Sequence, residues 1–117
     1  MLLPVQLVAP QFLTNADAVY YTVPPTATGQ AATTAKISRA VFINNTGGAV
    51  TLTVALVPAG GSVTSGNTVI NALSIPAGQT YTSQALAGAI LPAGTSFHAS
   101  AGSGSAIQIM VSGLTFQ

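Results

Sequence analysis

Turn-forming residues interrupt this chain every 10 to 18 positions, and this spacing most constrains what it can fold into. The turns are Asn-Asn-Thr-Gly-Gly, three copies of Pro-Ala-Gly and Gly-Ser-Gly-Ser, at residues 44–48, 58–60, 76–78, 92–94 and 102–105. The segments between them are short and rich in β-branched residues. Such spacing is typical of an all-β fold and leaves no uninterrupted stretch for a long amphipathic helix.

The clearest predicted strand covers residues 50–57. Its large apolar side chains alternate with Thr and Ala, at Val50, Leu52, Val54 and Leu56. This period of two indicates a strand with one buried face. Residues 36–43 predict another strand, and the Asn and Gly residues of 44–48 tolerate the positive φ angles of a tight reversal. We therefore expect 36–43 and 50–57 to form a hairpin.

A second hairpin is expected near the C-terminus. Ile107, Ile109 and Val111 alternate with more polar residues, and 96–101 carries apolar side chains on one face. Gly-Ser-Gly-Ser would join these two strands.

Further strands are expected at 20–23, 68–75 and 79–85. The first would end at Pro24-Pro25, and the other two are separated by the Pro-Ala-Gly turn at 76–78. The Ala-rich segment 83–90 is the one place where a helical turn is conceivable. The three Pro-Ala-Gly tripeptides are interpreted as one turn used three times, because their spacing is too irregular for a solenoid repeat.

Together these segments predict one β-sandwich or jelly-roll-like domain of about seven or eight strands. A chain of 117 residues is the size of a single domain. We place the sandwich at residues 14–117 and treat 1–13 as an extended, apolar N-terminal arm. Two alternatives stay open for that segment. It either reaches a neighbouring molecule or forms the first strand of its own sandwich.

Charge is almost absent from the chain. Asp17, Lys36 and Arg39 are its only charged residues, 3% of the total against about a quarter in ordinary soluble domains. Low charge removes the repulsion that keeps monomers apart, and soluble sandwiches usually protect their edge strands with lysine or inward-pointing charges. The composition therefore predicts a subunit that associates with partners. Lys36 and Arg39 would solvate a hairpin or pair with a partner's carboxylate.

The residue inventory argues against an enzyme. There is no Glu or Cys and only one Asp, so paired-carboxylate and thiol catalysis are excluded, as is a disulfide framework. A serine could join His98 and Asp17 in a triad, but no Gly-x-Ser-x-Gly elbow exists and Asp17 falls in a predicted loop. We expect His98, opposite Phe97 and Ala99 on its strand, to be a hydrogen-bonding surface residue. No catalytic residue, cofactor or metal site is predicted, since a zinc site needs further His or Cys ligands.

Neither a nucleic acid nor a membrane is expected as a partner. Two basic residues cannot make the many phosphate contacts of a nucleic-acid-binding protein. No run of eighteen apolar residues exists to span a bilayer, so no membrane partner is expected. The apolar start lacks a basic n-region and contains Pro4, which argues against a cleaved signal peptide.

Several turn and strand motifs resemble one family of proteins. They are Leu-Thr-Asn-Ala at 13–16, Tyr-Tyr-Thr-Val-Pro at 20–24, Val-Phe-Ile-Asn-Asn at 41–45, Leu-Val-Pro-Ala-Gly-Gly-Ser at 56–62, Asn-Thr-Val-Ile at 67–70, Ala-Gly-Gln-Thr-Tyr at 77–81, Leu-Pro-Ala-Gly at 91–94 and Val-Ser-Gly at 111–113. From about Phe12 onward the chain resembles small virion proteins of tailed bacteriophages, of the capsid decoration (cement) or head and tail accessory type.

This resemblance implies a β-sandwich subunit, often a homotrimer, that binds the major capsid protein or another virion protein. It would lie on the capsid surface of the virion, after assembly in the host cytoplasm. The contacts expected for such a subunit come from the N-terminal arm, with an aromatic anchor at its end. The predicted interface residues are Leu2, Leu3, Val5, Leu7 and Phe12. The alternatives are a tail, baseplate or fibre adaptor and a glycan-binding module that presents exposed aromatic residues.

Overall fold

The computed structural model describes residues 2–24, 29 and 32–116, and for residues 2 and 3 it describes only the backbone. Nine strands and no helix form this part of the chain. The all-β prediction is confirmed. Pro25, the second proline expected to end an early strand, lies outside the described residues. The strands are β1 Leu2–Phe12, β2 Ala18–Thr22, β3 Thr34–Asn44, β4 Val50–Val57, β5 Thr68–Ile75, β6 Thr80–Thr82, β7 Ile90–Leu91, β8 Ser96–Ala101 and β9 Ile107–Phe116.

The strands form two packed antiparallel sheets. Sheet A has the order β1-β9-β3-β6, with the short β7 also paired to β3, and sheet B has the order β2-β8-β4-β5. If β6 and β7 are counted as one interrupted strand, this is the order of an eight-stranded jelly roll. The β-sandwich prediction is therefore confirmed, and its strands alternate between the two sheets along most of the chain.

Both predicted hairpins are wrong. β3 belongs to sheet A and β4 to sheet B, so residues 45–49 carry the chain from one sheet to the other. The connection between β8 and β9 makes the same kind of crossing in the opposite direction. Turn residues specify that the chain reverses direction. The strand after the turn can either pair with the preceding strand or cross to the opposite sheet, and its apolar face is buried between the sheets in both cases.

The strand count also differs from the predicted seven or eight, because the strand expected at 79–85 is shorter and the additional strand β7 follows it. β6 ends at Thr82, and Ser83 is buried with its Oγ accepting a hydrogen bond from the backbone N–H of Leu86 at 3.1 Å. This turn places the fully buried Leu86 in the core. β7 then resumes pairing with β3 at Ile90.

The segment where a helical turn was conceivable contains one hydrogen bond of α-helical spacing. The N–H of Ala87 donates to the carbonyl of Ser83 at 3.3 Å. The backbone then returns to β3, where Gly88 donates to Ile37 at 2.7 Å and Ile37 donates to Ala89 at 2.9 Å. The excursion therefore keeps its backbone groups bonded to sheet A.

The three Pro-Ala-Gly turns share one conformation, as predicted. In each, the proline carbonyl accepts a hydrogen bond from the residue three positions on, at 2.9 Å for Gly61, 3.2 Å for Gln79 and 3.1 Å for Thr95. The glycines have φ angles of 69° to 84°, the left-handed region that a type II turn requires at its third position.

The core lies between the two sheets and includes residues from β1. Phe42 and Phe97 are the largest fully buried side chains, and the ring centroid of Phe42 lies 6.4 Å from that of Tyr81. β1 pairs with β9 from Leu2 to Phe12 and buries Leu7 and Val8. In this structure the segment is the first strand of its own sandwich, one of the two alternatives, while the boundary between 1–13 and 14–117 stays a prediction.

Candidate interaction surfaces

The outer face of sheet A consists of the side chains that point away from sheet B. On β9, Ile107, Ile109 and Val111 are buried in the core, so the residues between them point outward. The strand register extends this face across β1, β3 and the short strands, because residues directly opposite each other share a face.

Large apolar side chains lie in three rows across this face. The rows are Phe12–Gln108–Ile43, Met110–Val41 and Leu114–Lys36–Ile90. Phe12 is 48% exposed, Ile90 is 53% exposed and Met110 is 37% exposed. Single exposed apolar side chains are ordinary, but a set grouped on one face is typical of an interaction surface.

The same face carries both basic residues of the chain. Lys36 and Arg39 are exposed on β3, opposite Leu114 and Ser112 of β9. The sequence contains a single acidic side chain, Asp17, and its Oδ2 lies 2.8 Å from His98 Nδ1. His98 belongs to β8 in sheet B. The cationic groups are therefore on sheet A, and the one carboxylate is held at sheet B.

A shallow depression of about 450 Å³ lies in the middle of the sheet A outer face. Two register shifts lie beside it, one between Gln6 and Val8 on β1 and one between Ile37 and Arg39 on β3. Bulges of this kind bend a sheet and increase its twist. The lining residues are Pro4, Val5, Gln6, Ser38, Ser112, Gly113 and Leu114.

The predicted interface residues have different environments. Phe12 is exposed on the sheet A outer face, and Val5 is half-buried and lines the depression. Leu7 is only 7% exposed and packs in the chain's own core, so little of its surface is accessible in this conformation. The side chains of Leu2 and Leu3 lie outside the described residues. The role of the group in an interface stays a prediction.

Sequence reasoning missed the apolar contribution of Met110 and Ile90. The signal for Met110 was its alternation with the buried residues on either side of it in β9. For Ile90 there was no usable signal, because the two residues of β7 are too few for a period to be read.

A second concave region lies at the opposite flank of the sandwich. This groove of about 350 Å³ runs between the end of β5 and the start of β6, where the two sheets are joined by the turn at 76–78. Its lining residues are Leu73, Ser74, Ile75, Pro76, Gln79, Thr80 and Tyr81. It combines an aromatic side chain with polar groups.

The structure brings together His98 and Asp17, which are 81 residues apart in sequence. His98 lies between the buried Phe97 and Ala99, as predicted for a residue on the other face of its strand. An ionised carboxylate only accepts hydrogen bonds, so the imidazole Nδ1 donates. The neighbours of His98 on the adjacent strands are Val19 and Ala55, which carry no nucleophile. The pair joins the segment before β2 to sheet B.

Among residues 2–24, 29 and 32–116, no group of three or more His, Cys, Asp or Glu side chains is arranged to hold a metal ion. Within the same residues, no helix has the length and apolar character needed to cross a membrane.

Protein-family models, characterised proteins and solved structures were compared with this chain, and none matched. The function must therefore be argued from the fold, the surfaces and the resemblance of its turn motifs.

Proposed function

We propose that this chain is a non-enzymatic virion structural subunit that decorates and stabilises a bacteriophage head as a cement protein. It would form homo-oligomers, with a trimer favoured, and bind the major capsid protein at the capsid surface. The observation that carries this proposal is the sheet A outer face, which groups exposed apolar side chains with both cations of an otherwise nearly uncharged chain.

The fold supports the proposal without specifying it. Jelly rolls are a common architecture of viral capsid domains and of lectins. Since one fold serves many functions, the choice of a virion depends on the resemblance of the turn motifs to phage virion proteins.

A subunit of this kind would act by binding free energy alone. A protein that binds only the closed shell stabilises that shell. The stabilisation free energy grows with the logarithm of the ratio between the free concentration of the binding protein and its dissociation constant. Buried contacts across the seams between capsid proteins would thus oppose opening of the shell.

Self-association has a candidate edge in sheet B. Pro4 and Pro10 lie in the edge strand β1 and remove two backbone N–H groups, which hinders strand addition there. The edge strand β5 contains eight residues with no proline and no charged side chain. Register shifts interrupt the pairing of β5 as they do that of β1, so the two edges differ in the prolines that only β1 contains.

The proposal is tested with full-length protein and with shells from the phage that encodes it, prepared without this chain. Light scattering should give the mass of a stable oligomer, and the oligomer should co-sediment with the shells and delay their thermal opening. A monomer that does not bind shells would contradict the proposal. If the protein instead binds only tails or baseplates, as located by labelling on whole particles, it is an adaptor rather than a cement subunit.

The groove beside β5 favours one alternative function, glycan binding. Tyr81 lines it together with Ser74, Gln79 and Thr80, and an aromatic ring with nearby polar groups suits a sugar. Binding to an immobilised glycan array, abolished by Gln79→Ala and retained by Gln84→Ala on the neighbouring turn, would support this alternative. Absence of binding to any glycan would remove it.

A further inference from the structure

We infer that the outer face of sheet A docks on a carboxylate-bearing surface of a different virion protein, with Arg39 and Lys36 as its cationic anchors. This inference rests on the proposed function, because it takes the chain to be a virion subunit. It adds the docking face and the chemistry of the partner, neither of which follows from the fold alone.

The charges argue that a second copy of the chain is not the occupant. Each copy has two basic side chains on this face and a single carboxylate side chain, Asp17, which His98 already holds at sheet B. Two copies packed through their sheet A faces would bring Lys36 and Arg39 close to their own counterparts. Like charges at an interface disfavour association, so the complementary surface must supply carboxylates from another protein.

Arg39 lies at the edge of the depression. The register places Gln6, Ser112 and Arg39 in one row across β1, β9 and β3, and Ser38 is the neighbouring residue at the bulge of β3. A guanidinium group matches a carboxylate with two parallel hydrogen bonds. The amide and hydroxyl groups in the same row can donate to the remaining lone pairs. A carboxylate side chain that enters the depression would thus meet several donors.

The apolar rows on either side would strengthen this contact. Met110, beside the buried Val41, lies on one side of the Arg39 row, and Leu114 with Lys36 lies on the other. Apolar contacts that exclude water from a charged pair raise its contribution to binding. The aliphatic stem of Lys36 also fits such a position, because lysine covers apolar surface with its stem while its ammonium group stays in contact with charge.

The size of the face suits a protein partner. Its main strands contain 10 or 11 residues. With a rise of about 3.3 Å per residue and about 4.8 Å between strands, the face measures roughly 35 Å by 15 Å. This area, on the order of 500 Å² before side chains add relief, is comparable with the roughly 800 Å² that each partner contributes to a standard interface.

Lys36 is the only lysine of the chain, which allows a direct test. A carbodiimide joins an amine to a carboxylate in contact with it, without a spacer. When full-length protein bound to shells is treated in this way, mass spectrometry should find Lys36 coupled to an Asp or Glu of a shell protein. The matched control is Lys36→Arg, which keeps the charge but offers no reactive amine at this position, so the shells should still be bound and this cross-link should disappear.

Two further variants separate the possible occupants. Arg39→Gln should weaken shell binding by at least about tenfold and reduce its salt dependence, since a buried charge contact is lost. Asp17→Asn should leave shell binding unchanged. A cross-link between Lys36 and Asp17 of a second copy, or dissociation of the oligomer by Asp17→Asn, would overturn the inference in favour of self-association.

The outcomes also separate this inference from the proposed function. If the protein binds shells but Lys36 forms no cross-link to them and Arg39→Gln binds normally, the docking face is wrong and the cement function stands. If the protein binds no virion component at all, the proposed function and this inference both fail.

Discussion

Asn44 lies at the end of β3, where the chain crosses from sheet A to β4 in sheet B. Its side chain is fully buried, and its Nδ2 donates to the carbonyls of Gly48 at 2.9 Å and Ile75 at 2.8 Å. Its Oδ1 accepts from the N–H of Thr46 at 2.9 Å and from the Thr46 hydroxyl at 2.7 Å. One side chain thus uses its full hydrogen-bonding capacity to join the turn to the end of β5.

Replacing this residue should cost stability. Asn44→Ala leaves the carbonyl of Ile75 without its buried partner, and we expect the free energy of unfolding to fall by about 2–4 kcal/mol. Urea denaturation measures this change. Asn45→Ala, at the exposed neighbouring position, should change stability by less than about 0.5 kcal/mol. Equal effects of the two substitutions would show that the network does not hold the crossing.

Tyr21 makes stability depend on pH in the alkaline range. Burial raises the pKa of its phenol above the ordinary value of 10.0. As the pH rises past 10, the unfolded chain loses this proton while the folded chain still holds it, so the free energy of unfolding falls. Stability should therefore be unaffected by this group below pH 10 and should fall above it.

The matched variant for this prediction is Tyr21→Phe, which keeps the ring and removes the titrating group. Melting temperatures measured on either side of pH 10 should decline less steeply in the variant than in the parent protein. An unchanged decline would assign the effect to other groups.

At the scale of elements, β1 has two different roles. One side of the strand contributes Leu7 and Val8 to the core, and the other presents Phe12 on the sheet A outer face. Prolines and register shifts interrupt its outer edge, so this strand is better suited to contact a partner through its face than by adding a strand.

Deleting residues 1–12 should therefore destabilise the fold as well as remove a contact. Full burial of an apolar side chain contributes about 1.5–3 kcal/mol, so losing Leu7 and Val8 should cost roughly 3–6 kcal/mol of a typical 5–15 kcal/mol. Chemical denaturation of the truncated and full-length chains measures the loss. Phe12→Ser is the matched point variant, and it should keep the stability nearly unchanged. A truncated chain as stable as the parent would show that β1 is an independent arm.

At the scale of the whole molecule, the two outer faces of the sandwich differ in chemistry. The sheet A face holds both cations and three of the exposed large apolar side chains, while the carboxylate of Asp17 is bonded to sheet B. Strands of sheet B also expose large apolar side chains, Val19 and Val69, so the two sides of the sandwich differ mainly in where the basic side chains lie.

The connectivity of the sandwich predicts slow folding. β1 pairs with β9 and β2 pairs with β8, so much of each sheet depends on segments that are far apart in sequence. Loops of this length must close before the contacts form, and sandwiches of this kind refold in milliseconds to seconds. Stopped-flow dilution from urea should show a main refolding phase in that range. A main phase in microseconds would contradict the expected dependence on distant pairings.

The strands and the turns could be predicted from the sequence, because they depend on neighbouring residues. The alternation in 50–57 specifies which side of β4 is buried, and the Pro-Ala-Gly tripeptides specify a local backbone conformation. The same local information located His98 opposite the buried Phe97. Most of the strand boundaries and part of the core could therefore be predicted.

The pairing of the strands and the contacts between charged groups became clear from the three-dimensional fold. Alternation indicates that a side chain is buried, but it does not indicate which sheet covers that side chain. Both hairpins were therefore predicted at places where the chain crosses between the sheets. The bulge between Ile37 and Arg39 shifts the phase of β3, which puts Arg39 beside Ser112 on the outer face. Asp17 meets His98 only because β2 and β8 pair. Such contacts depend on the simultaneous packing of distant segments, and no local pattern encodes them.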